Sequence, residues 1–193
     1  MPAFLDDRRI DTDRPTLAGV LAAGAEMAEA DGRIIVEVRL DGKDVDGSTL
    51  QSPPDDDLGE SEVRLVSADP HEVAGQALAD AGTQLDTTRA RQAEVASLIQ
   101  QGKVAEGMSR LGECLADWQT AQHVVSSVGR LVGVHGPAPT IDALAALLTD
   151  LRNALSGQDW ATVADLLAYD LDEQATAWIA MLDDLRRTVR DAG

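Results

Sequence analysis

Hydrophobic positions change their spacing at Pro70. Before it, apolar residues fall in short alternating runs broken by Asp, Gly and Pro; after it, they recur every three or four residues almost to the end of the chain. Alternation places side chains on the two faces of a strand, whereas three- and four-residue spacing lines one face of a helix. The pattern therefore predicts an α+β chain: a small acidic β-α-β-β N-terminal domain over residues 1–69, followed by an antiparallel four-helix bundle with long helices over residues 70–193.

In the first part, Phe4 to Ile10 reads as a strand. The cluster Thr12-Asp13-Arg14-Pro15-Thr16 supplies the capping oxygens and the early proline that start a helix. Leu17, Val20, Leu21, Gly24, Met27 and Ala28 form that helix's apolar stripe, closed by Asp31-Gly32. From Arg33 to Leu40 the period becomes two, with Ile34, Val36, Val38 and Leu40 on one face and Glu37 and Arg39 on the other. Asp41-Gly42 then signals a hairpin turn. A last alternating run, Glu62 to Ser67, sets Val63 and Leu65 against Glu62 and Arg64.

The second part reads as helices over about 71–101, 103–133, 140–156 and 159–190. Ala74, Leu78, Ala81, Leu85, Thr88, Gln92, Val95 and Ile99 alternate in steps of four and three, the spacing of a helix seam. Val104, Met108, Leu111, Leu115, Trp118, Gln122, Val125, Gly129 and Val132 repeat it. The stretch Val134-His135-Gly136-Pro137-Ala138-Pro139 stops the second helix. Ile141, Leu144, Leu148, Leu151 and Leu155 mark a third, and Asp159 caps a fourth that carries Trp160, Val163, Leu167, Leu171, Trp178, Leu182 and Val189. At 1.5 Å per residue, the long helices reach about 45 Å and the third only about 24 Å. Part of the long helices then lacks a neighbour, an argument for a partner or a second copy.

Composition narrows the function. A net charge of -18 repels nucleic acid and anionic membrane, because phosphate binding needs clustered Lys and Arg. Residues 1–69 carry about -10 and residues 70–193 about -8, so the shorter part is the more densely acidic and the better suited to a basic partner. Lys43 and Lys103 are the only lysines. The single cysteine, Cys114, excludes an intramolecular disulfide and reads as a small buried hydrophobe. Met1 to Ile10 holds no apolar run of a secretory signal, and no stretch approaches a membrane span, so a soluble cytoplasmic protein is expected.

Chemical motifs are sparse. Asp41 to Gly47 suggests a calcium loop, but with Gly47 at the sixth position the first falls on Gly42 and the twelfth on Pro53, which removes both essential carboxylates. Asp55, Asp56 and Asp57 read as a solvated loop, as do Asp165, Asp170, Asp172 and Glu173 as a solvated helix face. His71, His123 and His135 are scattered, with no pairing that would place two metal ligands on one helix face. No catalytic site, cofactor site or metal site is expected. Thr88, Gln92 and Gln122 interrupt the seams with polar groups, where they either fix register or border a gap that another molecule fills. Trp118, Trp160 and Trp178 lie on the seams and become anchors wherever a groove exposes them. These six residues are the candidate partner contacts.

The expected function is therefore a non-enzymatic protein-protein interaction module, an adaptor or chaperone-like bundle that binds a partner helix. Two alternatives stand beside it: a self-associating structural module, possible as a homodimer, and a small-ligand binder or enzyme with its site at the junction of the two parts. Gly102 to Val128 and Ser156-Gly157-Gln158-Asp159-Trp160 to Tyr169 resemble helical flagellar export chaperones and bacterial bundle proteins. That resemblance covers a minor part of the chain without a diagnostic motif, and the β-containing first part departs from it.

Overall fold

Alternating sequence becomes a five-stranded sheet and helix-period sequence becomes several long helices, so the chain is mixed α/β and 68% helical. The computed structural model describes residues 1–193 and divides into two units, Met1–Val73 and Ala74–Gly193.

In the first unit the elements run β1 (Ala3–Leu5), β2 (Arg8–Arg9), α1 (Leu17–Ala30), β3 (Ile34–Leu40), β4 (Lys43–Asp44), α2 (Gly47–Gln51) and β5 (Val63–Ala68). The sheet order is β2-β1-β5-β3-β4, with β1 and β5 parallel and the other pairs antiparallel. Thr16 caps α1 by accepting the Gly19 N–H at 3.1 Å. Leu17, Val20 and Ala28 of α1 share a core with Leu5, Ile10, Val38, Val63 and Leu65.

Three expectations for this unit are corrected. The run Phe4 to Ile10 is not one strand but a hairpin, because Asp6 and Asp7 take positive φ of 47° and 65° and turn the chain. The Asp6 carboxylate then accepts the Ser67 hydroxyl and the Ser67 N–H, the latter at 2.8 Å, tying the hairpin to β5. Val36 does not join the core face. The β3–β5 register shifts between Ile35 and Glu37, so Ile35 packs inward while Val36 is 48% exposed, the usual result of one extra residue in a strand. Finally, the sheet has five strands rather than three, and Asp46 starts the short helix α2 by accepting the Thr49 N–H at 2.9 Å. Strands of two residues carry too little periodicity to read.

The helices that follow are α3 (Pro70–Gln100), α4 (Val104–Val132), α5 (Ala138–Ser156), α6 (Trp160–Asp165) and α7 (Leu171–Ala192), with a π-helical turn at Leu166–Asp170 joining the last two. One hydrophobic core draws on α3 through α7. The α3 seam is buried at Ala74, Leu78, Ala81, Leu85, Thr88, Gln92, Val95 and Ile99. On α4 the expected seam holds at Leu111, Trp118, Val125 and Gly129, which are interior, but its alternate positions shift back by one residue: Gly107, Cys114 and Ala121 are interior, while Met108, Leu115 and Gln122 are half-buried. Small side chains occupy the close approaches. A Cβ at Gly107 would lie 2.9 Å from Ile99 Cγ1, so bulk at this face is excluded where hydrophobicity alone favours Met108.

The fourth predicted helix is also not uniform. At its π-helical turn the Leu171 N–H bonds the Leu166 carbonyl five residues back, and Leu166, Leu167 and Leu171 are all interior.

Candidate functional site

A concavity of about 660 Å³ lies among α4, the α4–α5 loop, α5 and α7. Its apolar surface comes from Val125, Gly136, Ala138, Ile141 and Trp178; Gln122, His123, Ser126, His135 and Asp142 supply the polar groups. Residues 122, 125 and 126 face the groove together because helix neighbours lie three and four positions apart. The loop returns the chain over the end of α4, where Gly129 makes room for it: a Cβ at 129 would lie 2.5 Å from His135 Nδ1. Pro137 and Pro139 stand at the start of α5, where a missing N–H costs little. The Thr140 carbonyl accepts Gln174 Nε2 at 2.9 Å and Trp178 Nε1 at 3.3 Å, which docks the start of α5 onto α7.

The six candidate contacts divide between interior and surface. Thr88, Gln92, Trp118 and Trp178 are at most 1% exposed, whereas Gln122 and Trp160 are half-buried. Trp118 and Trp178 meet in an edge-to-face pair. Gln122 and Trp178 line the same groove, while Trp160 lines a separate hollow of about 310 Å³ with Ile99, Gln100 and Asp165. Sequence spacing did not single out Val125, Ser126 and Ile141 as groove residues. The signal available was the abrupt His135-Gly136-Pro137 stop, which folds a loop back across α4.

Polar groups inside the unit tie its helices. Asp117 of α4 accepts Thr88 Oγ1 at 2.7 Å, Gln84 Nε2 at 3.0 Å and Arg91 Nη1 at 2.6 Å, all from α3. Arg89 grips Asp172 with two parallel bonds of 2.9 and 3.1 Å, and the hydrogen bonding to Asp172 raises the guanidinium's pKa further. Asp172 is therefore a helix-to-helix tie, whereas Asp165, Asp170 and Glu173 are exposed. Gln92 differs from these: neither its Oε1 nor its Nε2 has a hydrogen-bond partner, and Trp118 Nε1 is likewise unpaired.

Cys114 is buried and its thiol is pushed up to about 11 by that burial, which suppresses the thiolate. His71 lies at the start of α3, where its N–H bonds the Asp69 carboxylate at 2.7 Å and holds that group below its ordinary pKa. No three His, Cys, Asp or Glu side chains converge closely enough to hold a metal ion. No helix is long and apolar enough to cross a membrane.

The sequence profile of a family described as a domain of unknown function, DUF8042, matches residues 77–181, more than half of the chain. The chain belongs to the DUF8042 family. No curated protein and no solved structure matches it. The DUF8042 region runs from α3 into α7 and includes Gln92, Asp117 and every residue lining the 660 Å³ groove.

Proposed function

We propose that this member of the DUF8042 family is a protein-interaction module whose long helices form an antiparallel four-helix bundle and whose groove takes a helix of a partner polypeptide. The observation that carries the reading is the groove itself, in which Ala138 and Ile141 present apolar surface over the buried Val125 and Trp178, and Gln122, Ser126 and Asp142 form a polar rim. A helix presenting two or three apolar side chains to such a surface gains affinity by burial, and the rim fixes its register. Antiparallel packing is supported by the order of the ties: residues 84, 88 and 91 meet 117, and residue 94 meets 110, so positions rise on α3 as they fall on α4. The denser negative charge of residues 1–69 favours a partner with a basic surface.

A photo-crosslinking amino acid at Ser126, in the full chain expressed in its host, tests this reading. The expected result is one crosslinked foreign polypeptide that disappears when Ile141→Arg puts charge on the apolar surface. Crosslinks to a second copy of the chain favour self-association instead, and crosslinks that survive Ile141→Arg overturn the groove as the binding surface.

A further inference from the structure

We propose that the outer edge of β3, in the first unit, accepts an extended basic segment of a partner polypeptide as an additional strand. The topology leaves this edge open. β4 pairs with β3 only at Arg39↔Asp44 and Leu40↔Lys43, and one further bond runs from the Val45 N–H to the Val38 carbonyl at 2.9 Å. Beyond that point the chain departs into α2, so Ile34, Ile35 and Glu37 pair with β5 on one side and, like the bulged Val36, face no strand on the other. An open strand edge offers unpaired backbone donors and acceptors to any chain that can lie alongside.

Beside this edge runs a groove of about 490 Å³, bordered by Leu21 and Ala25 of α1, by Ile35 and Val38 of β3, and by Val45 and Leu50. Its apolar surface gives alternate side chains of an added strand somewhere to go. Val36, carried outward by the bulge, stands at its rim. Charge selects the occupant. Glu37 and Asp44 are the charged groups of the lining, with one guanidinium, Arg39, ion-paired to both. Two carboxylates against one guanidinium leave the lining with net negative charge. Basic side chains flanking an apolar residue complement it. This inference does not depend on the helical groove, since it concerns the other unit.

The experiment uses the full chain labelled with ¹⁵N and a synthetic peptide of alternating valine and arginine. Expected are slowed amide exchange and shifted signals at Ile34 to Val38. Binding should be roughly tenfold weaker for a peptide of alternating valine and glutamate, and for a valine-arginine peptide N-methylated along its backbone. Ala25→Trp places a large ring in the groove from an exposed helix position and should abolish binding without changing the circular dichroism. Asp44→Lys should narrow the preference for the arginine peptide. Equal binding of both peptide charges, retained binding by the N-methylated peptide, or protection confined to other amides overturns the proposal. Protection of the same amides without peptide, growing with protein concentration, assigns the edge to a second copy and also overturns it.

Discussion

Trp118 of α4 and Trp178 of α7 meet edge to face, with ring centroids 5.7 Å apart and planes at 86°. Both rings are buried, yet their N–H groups differ: Trp178 Nε1 reaches the Thr140 carbonyl, whereas Trp118 Nε1 has no partner. Trp178→Phe should therefore cost about 1 kcal/mol more than Trp118→Phe, the worth of one hydrogen bond. A double-mutant cycle with leucine at both positions should give a coupling of about 0.5–1.5 kcal/mol. Urea unfolding checks both, and equal costs for the two phenylalanine variants would remove the Thr140 bond from the account.

Gln92 and Asp117 predict opposite signs. The Gln92 amide is wholly buried with both atoms unpaired, so Gln92→Leu should stabilise the chain by about 1–3 kcal/mol by removing that desolvation cost. Asp117→Ala takes the acceptor from three α3 side chains and should destabilise by about the same amount. Denaturation midpoints of the two variants measure this, and a Gln92→Leu protein weaker than the parent would contradict the assignment.

Cys114 reports on opening of the helices. Its thiol is buried and its pKa pushed up to about 11, so a thiol reagent at neutral pH should label it only when the surrounding helices separate. Labelling of the folded chain is expected to be slow, rapid in urea, and accelerated in Asp117→Ala. A native rate matching the unfolded rate would place the thiol at the surface.

Acid should weaken the first unit in a defined window. Hydrogen bonds from the Ser48 hydroxyl and from Thr49 lower Asp46 from 3.8 to about 2, and those from Ser67 lower Asp6. Within that window the unfolded chain binds more protons than the folded one, so stability is present above 3.8 and lost as pH falls towards about 2. Asp46→Asn should flatten this slope in thermal melts recorded across the window. A melting profile unchanged by the substitution would show that the cap contributes nothing.

Much of the fold was legible where one physical signal dominated. The Asp41-Gly42 hairpin follows from turn chemistry, and Val63 and Leu65 fall inside because β5 alternates without interruption. The α3 seam reads correctly through its polar members, since even Thr88 and Gln92 keep the interval. What escaped needed knowledge of neighbours. Val36 is turned outward by a shift against β5, which period two along β3 cannot register. On α4 the small residues Gly107, Cys114 and Ala121 are interior in place of the larger Met108, Leu115 and Gln122, and at Gly107 a close approach of Ile99 leaves no room for a side chain, which spacing along one helix does not register. The groove was hidden for a related reason: its walls belong to three helices and a loop, and although Val125 and Ile141 also lie on apolar stripes, only Gln122 and Trp178 stood among the candidate contacts.

The fit between Gly129 and His135 has a consequence for the groove. Because a methyl group at 129 would collide with the imidazole, Gly129→Ala must displace the His135 side chain, one of the polar groups that line the groove. A residue that lines no part of the groove thus decides where one of its side chains rests, through one hydrogen atom standing where other residues carry carbon.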